Sequence, residues 1–570
     1  MKKLHALYLL GLFSVLSFSS CEKKFLDKAP GVDVTENTIF SSQTELEMYI
    51  ASIYRHGIHH GFPTEDRSLT NAATYDMAAG ATDEGEFAAG WLISQRWNSS
   101  NITASDIVNL EDYRFFLRWT AIRMCNILIE RAGDVPNVTD AYRNQVIGEA
   151  KFIRALNYIE MVKRYGGVPI VDKRFQLTDN FDLGRNTLQE SFNFIVSDAT
   201  DAAEKLPPTY PSTMRGRATK GAALALKSRA LLYAASPLSN TAQPYMSLGE
   251  NDKFLCLGNN DKNRWKLAAD AAKAVLDWAP GAGIHLITDK GTTANYRYQW
   301  TTNDNAEVIL AAKVYGPRNA WEIPWATIKP NVLLGGRQGW AGLMATFNFV
   351  KKYEKVDGTP QTWPLAGGND LFLKINELDP RFKQTIAYQN SQWNIEDPQL
   401  DCRTTQTGFW MHKTIPYELT NGAAQVPNWQ LFRLAEAYLN YAEALNEFND
   451  GPNADAYEAV NVIRRRSGMP ELPANLSQEA FRERVHHERD IELAFEDHRF
   501  WDIRRWMVAE QNGVMQGDFW GLQLKAIPGS SEYNYVPYIY EQRTFLRKMY
   551  LHPFILSEVN KGHIVQNPGW

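Results

Sequence analysis

The 570-residue sequence has little cysteine, with four in all at positions 21, 125, 256 and 402. Residues so few and so far apart cannot form a disulfide framework, and no two of them have metal-ligand spacing. The fold must therefore rest on an apolar core, which a 44% hydrophobic fraction can supply. Charge of one sign is also scarce. The formal net charge is −5, with no block of like charge, and the basic residues are dispersed. That excludes the electrostatic footprint of a nucleic-acid partner. Low-complexity segments are absent, and nothing after Cys21 is apolar for the roughly 20 residues that span a bilayer. Catalytic and cofactor signatures are missing as well. There is no G-x-S-x-G elbow. His486-His487-Glu488 does not continue into H-E-x-x-H. Gly335-Gly336-Arg337-Gln338-Gly339 lacks the strand–turn–helix context of a phosphate loop. No cofactor and no metal is implied, and no acidic loop calls for calcium.

What is present begins at the N-terminus. Lys2 and Lys3 precede an apolar run from Leu4 to Phe18, then Ser19-Ser20-Cys21, and charge returns at Glu22, Lys23 and Lys24. This is the layout of a secretory signal over residues 1–20. With a cysteine at the cleavage point it looks like the lipobox of a bacterial lipoprotein, although Phe18 stands where that pattern prefers an aliphatic residue. Acylation of Cys21 would anchor the protein without a transmembrane helix, two or more chains holding stably. The alternative is an ordinary secreted protein whose cysteine falls there by chance.

Helical periodicity dominates residues 21–280. Phe152, Leu156, Ile159 and Val162 mark an amphipathic helix over Glu149–Tyr165 that Gly166-Gly167 ends. Thr187-Leu188-Gln189-Glu190 has the form of a capping box. Arg217–Ala235 is an alanine-rich helix, and Trp265, Ala268, Ala272 and Val275 mark another. From about 281 to 428 the periodicity fades, Gly, Pro, Asn and Thr multiply, and eight of the 17 Trp lie between Trp300 and Trp429. Long irregular stretches of this kind are usually functional or part of an inserted subdomain. Helices return over Trp429–Phe448, Asn453–Ser467 and Gln478 to about Glu496. Pairs of helices joined by short turns suggest tetratricopeptide-like units without the strict repeat.

Five segments then occur in one order. Cys21 is followed by Phe25-Leu26-Asp27 and Pro30. Glu149-Ala150-Lys151-Phe152-Ile153-Arg154-Ala155-Leu156 leads to Arg164-Tyr165-Gly166-Gly167-Val168-Pro169. Arg217-Ala218-Thr219-Lys220-Gly221 runs on to Tyr233-Ala234-Ala235-Ser236-Pro237. Leu434-Ala435-Glu436-Ala437-Tyr438-Leu439-Asn440-Tyr441-Ala442-Glu443 precedes Val462-Ile463-Arg464. The last runs from Glu488-Arg489-Asp490 through His498-Arg499-Phe500-Trp501-Asp502 to Trp506. Together they resemble the SusD-like (RagB/SusD) outer-membrane lipoproteins of Bacteroidetes. The resemblance implies one mainly α domain over 21–570, with about four tetratricopeptide-like helical pairs and long irregular insertions forming a ligand-binding face. It also implies a cell-surface, lipid-anchored protein in the outer membrane. Such a protein binds oligo- or polysaccharide and acts, without catalysis, as a hinged lid on a TonB-dependent (SusC-like) transporter. A surface-anchored glycoside hydrolase and a peptide-binding relative are the alternatives.

Sugar rings pack their C–H faces on aromatic rings and need amide or charged partners for their hydroxyls. Two regions combine these. One holds Trp91, Trp97, Asn98 and Asn101, a stretch where the family commonly carries ligand-contacting Trp and Asn. The other holds Tyr296, Tyr298, Trp300, Trp321, Trp325, Arg337 and Trp340, part of which must be core because Trp is highly buried on average. Asp83 and Glu84 lie near the first region without an assigned contact. Glu488, Glu492 and Glu496, spaced one helical turn apart among Arg482, Arg489 and Arg499, read as ion-paired scaffold rather than as a glycosidase pair.

Overall fold

The computed structural model describes residues 35–64, 76–107, 114–313, 316–330, 339–420, 422 and 424–570. The signal segment, Cys21 and Arg337 lie outside the described residues. We number the scaffold helices α1 (Gln43–Gly57), α2 (Phe115–Arg131), α3 (Asp140–Tyr165), α4 (Leu188–Lys205), α5 (Lys220–Ala235), α6 (Asn263–Trp278), α7 (Leu434–Phe448), α8 (Ala454–Arg466), α9 (Gln478–Glu492) and α10 (Arg499–Arg505). The strands, all in two-stranded antiparallel ladders, are β1 (Gly85–Phe87), β2 (Val308–Ala312), β3 (Leu343–Ala345), β4 (Ile386–Ala387), β5 (Trp410–Met411), β6 (Trp429–Arg433), β7 (Gly517–Ala526) and β8 (Tyr533–Arg543). Among the described residues no helix is long and apolar enough to cross a membrane.

Helices α1 to α7 pack each on the next in chain order, and α8 and α9 both lie on α7. This is the tetratricopeptide-like scaffold. Local chemistry sets its boundaries. Thr187 and Glu190 complete the capping box at α4, Glu190 N donating to Thr187 Oγ1 at 3.1 Å and Thr187 N to Glu190 Oε2 at 2.8 Å. Thr219 and Asn453 cap α5 and α8. Alanines on α5 are buried, which lets α4 and α6 approach closely.

The array continues across a large interruption. Helix α7 docks on α6 although residues 279–433 lie between them, and β2 and β6, near the two ends of that insertion, pair with each other (Ala312 opposite Trp429, Val308 opposite Arg433). The insertion thus leaves and rejoins the scaffold at one place. Trp429–Arg433 is therefore a fully buried strand and not the first turn of a helix, because its backbone is taken up by β2. Helix α9 ends at Glu492 rather than near Glu496; Phe495 and Asp497 have φ of 58° and 63°, left-handed values that stop a helix.

Below α9 lies a buried ion network. Glu488 pairs with Arg381 and Arg464 (2.5 and 3.0 Å), Glu492 with Arg466, Arg433 and Arg381 (2.5, 2.7 and 3.2 Å), and Glu496 with Arg433 (2.7 Å) and Lys413. The scaffold reading of these acids holds, but their cations come from elsewhere in the chain. The interleaved arginines serve other acids: Arg482 binds Glu447, Arg489 binds Asp502, and Arg499 binds Asp83 and Asp490. Asp502 is also held by Arg505 and is not a partner of the His498 ring. His486 and His487 are half-buried rather than open to solvent, His486 stacked on Trp506 at 3.6 Å between ring centres and His487 Nε2 2.6 Å from the Lys352 carbonyl.

Candidate functional site

A short helix, Ile93–Asn98, organises the first aromatic region. Its N-terminus is capped from a distance by Asp76, whose carboxylate accepts from Ser94 N (2.5 Å) and Met77 N (2.9 Å). Burial pushes the Asp76 carboxyl up to about 6. The helix turns Trp97 and Asn98 inward. The Trp97 ring meets Phe500 edge-on and lies 4.8 Å from His552, while Asn98 donates to the Gly80 carbonyl and to Glu86 Oε2, both at 3.1 Å. These two residues are core, and in this conformation neither offers a face to a ligand. Trp91, just before the helix, is 59% exposed, and Asn101 beyond it is exposed with its backbone carbonyl held by Arg96.

The second region divides in the same way. Tyr296 is enclosed, donating to the Glu492 carbonyl at 2.7 Å and accepting from Lys413 Nζ at 2.5 Å. Trp300 packs edge-on against Trp429, and Trp325 against Phe62. All three are fully buried, so as exposed platforms they are corrected to core. Large rings spaced along a segment that threads between scaffold and insertion are drawn inside, because no other residue buries as much apolar area. Trp340 is 48% exposed and Trp321 is half-buried.

The remaining aromatics are joined by backbone contacts. In the β1–β3 ladder Phe87 pairs with Leu343, and Ala88 N donates to the Gly342 carbonyl at 3.0 Å. Trp91 follows β1 and Trp340 precedes β3, so antiparallel pairing brings both to one end of the ladder. Trp340 N donates to the Ala326 carbonyl (2.6 Å) and Gly339 N to that of Pro330 (2.8 Å). A side chain at Gly339 would run into the Lys329 carbonyl oxygen. Lys329 lies over the Trp321 ring, 4.8 Å from its centre, and its Nζ is 3.1 Å from Asp397 Oδ2. Two residues before Asp397, Ile395 N donates to the Tyr417 carbonyl at 2.9 Å, and both side chains are exposed. Trp91 and Trp340 thus stand exposed at one end of the ladder, with Trp321 and Tyr417 linked to that end through Lys329 and the segment 395–397. Tyr417 was not singled out by sequence; only its place in the tyrosine- and tryptophan-rich stretch pointed to it.

The acids nearest Trp91 in the sequence are interior and occupied, whereas Glu322, Glu396 and Glu418, beside Trp321, Ile395 and Tyr417, are exposed. Asp83 is bound by Arg499 and Lys352 (2.8 and 2.7 Å), which against the cost of burial hold its carboxyl well below the ordinary range. Burial, and then the Asp83 charge, push Glu84 up to about 8; its Oε1 accepts from Phe495 N. Glu86 pairs with Arg543. A cleft of about 830 Å³ lies on the scaffold beside Trp506 and His486. Of the acids that line it, Glu443, Glu447 and Asp490 are ion-paired with Arg505, Arg482 and Arg499, while Glu479 and Glu483 are exposed. No cluster of His, Cys, Asp and Glu fit to hold a metal occurs among the described residues.

Comparison with known proteins bears on this geometry. Residues 288–570 match the model of the SusD family, and residues 24–232 match a second model described as starch-binding, associating with outer membrane. A SusD-like protein of Formosa agariphila, P25, is 23% identical over 520 residues, covering 87% of this chain and 89% of its own length. One from Bacteroides ovatus is 22% identical over 512 residues, covering 86% and 81%. Among solved structures, a SusD-like protein from Bacteroides fragilis aligns with a TM-score of 0.76 at 28% identity, over 95% of this chain and all of its own. Another from that species, a SusD-like carbohydrate binding protein, aligns at 0.69 and 22% identity over 92% and 99%. Surface glycan-binding protein A from Bacteroides fluxus aligns at 0.62 and 19% identity over 93% and 100%.

Proposed function

This chain belongs to the SusD family, and on that premise we propose that it binds oligo- or polysaccharide at the surface carrying Trp91, Trp340, Trp321 and Tyr417. It is anchored by acylated Cys21 to the outer membrane, faces the exterior, and passes its ligand to a TonB-dependent transporter over which it closes as a lid. The observation that carries the binding site is the β1–β3 ladder, with two exposed tryptophans at one of its ends. Indole faces set at the end of a rigid ladder suit the flat apolar faces of pyranose rings. The exposed amide of Asn101, ten residues beyond Trp91, is placed to serve hydroxyls at the margin.

A binding role without catalysis is supported by the acids. Hydrolysis of a glycosidic bond needs two carboxyl groups facing each other across a cleft. Asp83, Glu84 and Glu86, the acids nearest Trp91 in the sequence, are buried and engaged with Arg499, the Phe495 amide and Arg543. The experiment is to incubate purified protein with a panel of oligosaccharides and follow retention and product release together. Retention without turnover is the expected result; turnover would overturn the binding-only role.

A further inference from the structure

The connection between α3 and α4 carries an apolar tip that nothing among the described residues covers. Leu177 is 99% exposed and Phe181 57% exposed, and Phe175 lies against Phe181 at 5.4 Å between ring centres. The charged residues around the tip are matched locally. Lys173 Nζ is 3.4 Å from Asp179, Asp182 is 3.0 Å from His563, and Arg174 pairs with Glu36. The last of these ties the tip to the start of the described chain. Glu36 is also 3.5 Å from Arg131, and Arg131 donates to Asn37 at 3.2 Å. So the chain coming from Cys21 joins the body beside this loop. Residues 22–35 span at most about 50 Å when fully extended, which keeps this face of the protein near whatever holds Cys21.

From that placement we propose that the loop around Leu177 and Phe181 is a second, reversible contact with the lipid surface, seating the anchored end of the body against the bilayer. The proposal rests on the anchoring of Cys21 given above. Lipid is favoured over a charged protein partner because Lys173, Arg174, Asp179 and Asp182 are already ion-paired, within the loop or to Glu36 and His563, while Leu177 and Phe181 stand exposed at its tip. Such side chains partition into the headgroup and acyl boundary, and contact of this kind is insensitive to salt.

The test uses full-length, lipidated protein with Leu177→Cys labelled by an environment-sensitive dye. Cys125, Cys256 and Cys402 are buried, so the new thiol is the reactive one. Leu365→Cys, at an exposed site far along the chain (71%), is the control. On phosphatidylcholine and phosphatidylethanolamine vesicles the dye at 177 should shift to the blue and be quenched by nitroxide-labelled lipid, equally at low and high salt, while the dye at 365 stays unquenched. Protein retained on vesicles with an unquenched dye at 177 overturns the lipid contact and leaves the anchor standing. A blue shift without lipid quenching, appearing only when a transporter barrel is co-reconstituted, assigns the loop to a protein partner and also overturns it. Failure of the protein to stay on vesicles at all overturns the anchor, and this proposal with it.

Discussion

Phe87 and Leu343 face each other in the β1–β3 ladder, and this one pairing brings Trp91 and Trp340 together from segments more than 200 residues apart. Because side chains in a strand alternate with period two, a slip of one residue would turn the ladder's side chains to the other face. The register of three residue pairs thus decides whether the two tryptophans of the proposed site stand at one end.

Replacing Trp91 or Trp340 by Ala should weaken retention of a bound oligosaccharide, with thermal stability changed little since both rings are largely exposed. Trp97→Ala should do the reverse. It empties a core position and should cost about 3–5 kcal/mol of stability. Affinity electrophoresis and urea unfolding, run on the same three variants, check the contrast. Equal effects of all three on retention at full stability would remove the ladder end from the site.

Gly339→Ala should lower retention while sparing most of the stability. The added methyl collides with the Lys329 carbonyl oxygen and moves Trp340 off its hydrogen bond to Ala326. Comparing the affinity of this variant with its melting temperature tests the point.

Arg433→Met should destabilise strongly, by about 3–5 kcal/mol, because it removes a cation that three buried carboxylates share and leaves their charge under-compensated. Arg433 serves Glu307, Glu492 and Glu496 at once, at 2.9, 2.7 and 2.7 Å. Chemical denaturation gives the number. Oligosaccharide retention by the fraction that stays folded should be unaffected, since these acids have no assigned part in binding.

Glu84 should make stability fall with rising pH. Its folded pKa, about 8, stands above the ordinary 4.5, so the folded protein holds a proton the unfolded chain has lost. Stability from this residue is fully present below about 4.5 and declines as pH rises through about 8. Glu84→Gln, which keeps an acceptor for the Phe495 amide, should flatten that decline. Melting temperatures of both proteins from pH 5 to pH 9 check it; parallel curves would refute it.

Cys21→Ala should abolish membrane attachment and leave oligosaccharide affinity unchanged. Fractionation of cells and a binding assay on the soluble product measure the two separately. A fall in affinity would mean that the anchor shapes the site.

Much of the scaffold was legible because its cause is local. The capping box of Thr187 and Glu190, the 3.6-residue apolar period of α3 and the alanines of α5 act within a few residues of one another. The paired role of Glu488, Glu492 and Glu496 could be read from their spacing, but the identity of Arg381, Arg433 and Arg466 could not, since those arrive from other segments. The hairpin of β7 and β8 carried a turn signal in Ile527-Pro528-Gly529-Ser530 between alternating runs, yet went unread beside the stronger helical pattern before it.

The sequence by itself determined the helical array, the aromatic-rich insertion and the family, because periodicity, caps and ordered motifs are written in neighbouring residues. Tertiary structure alone decided which aromatics face water. Trp91 and Trp97 are six positions apart in similar local sequence, and one is outside while the other is in the core against Phe500 and His552. The physical reason is that burial depends on what packs against a ring, and for Trp97 that partner is supplied by residues about 400 positions away.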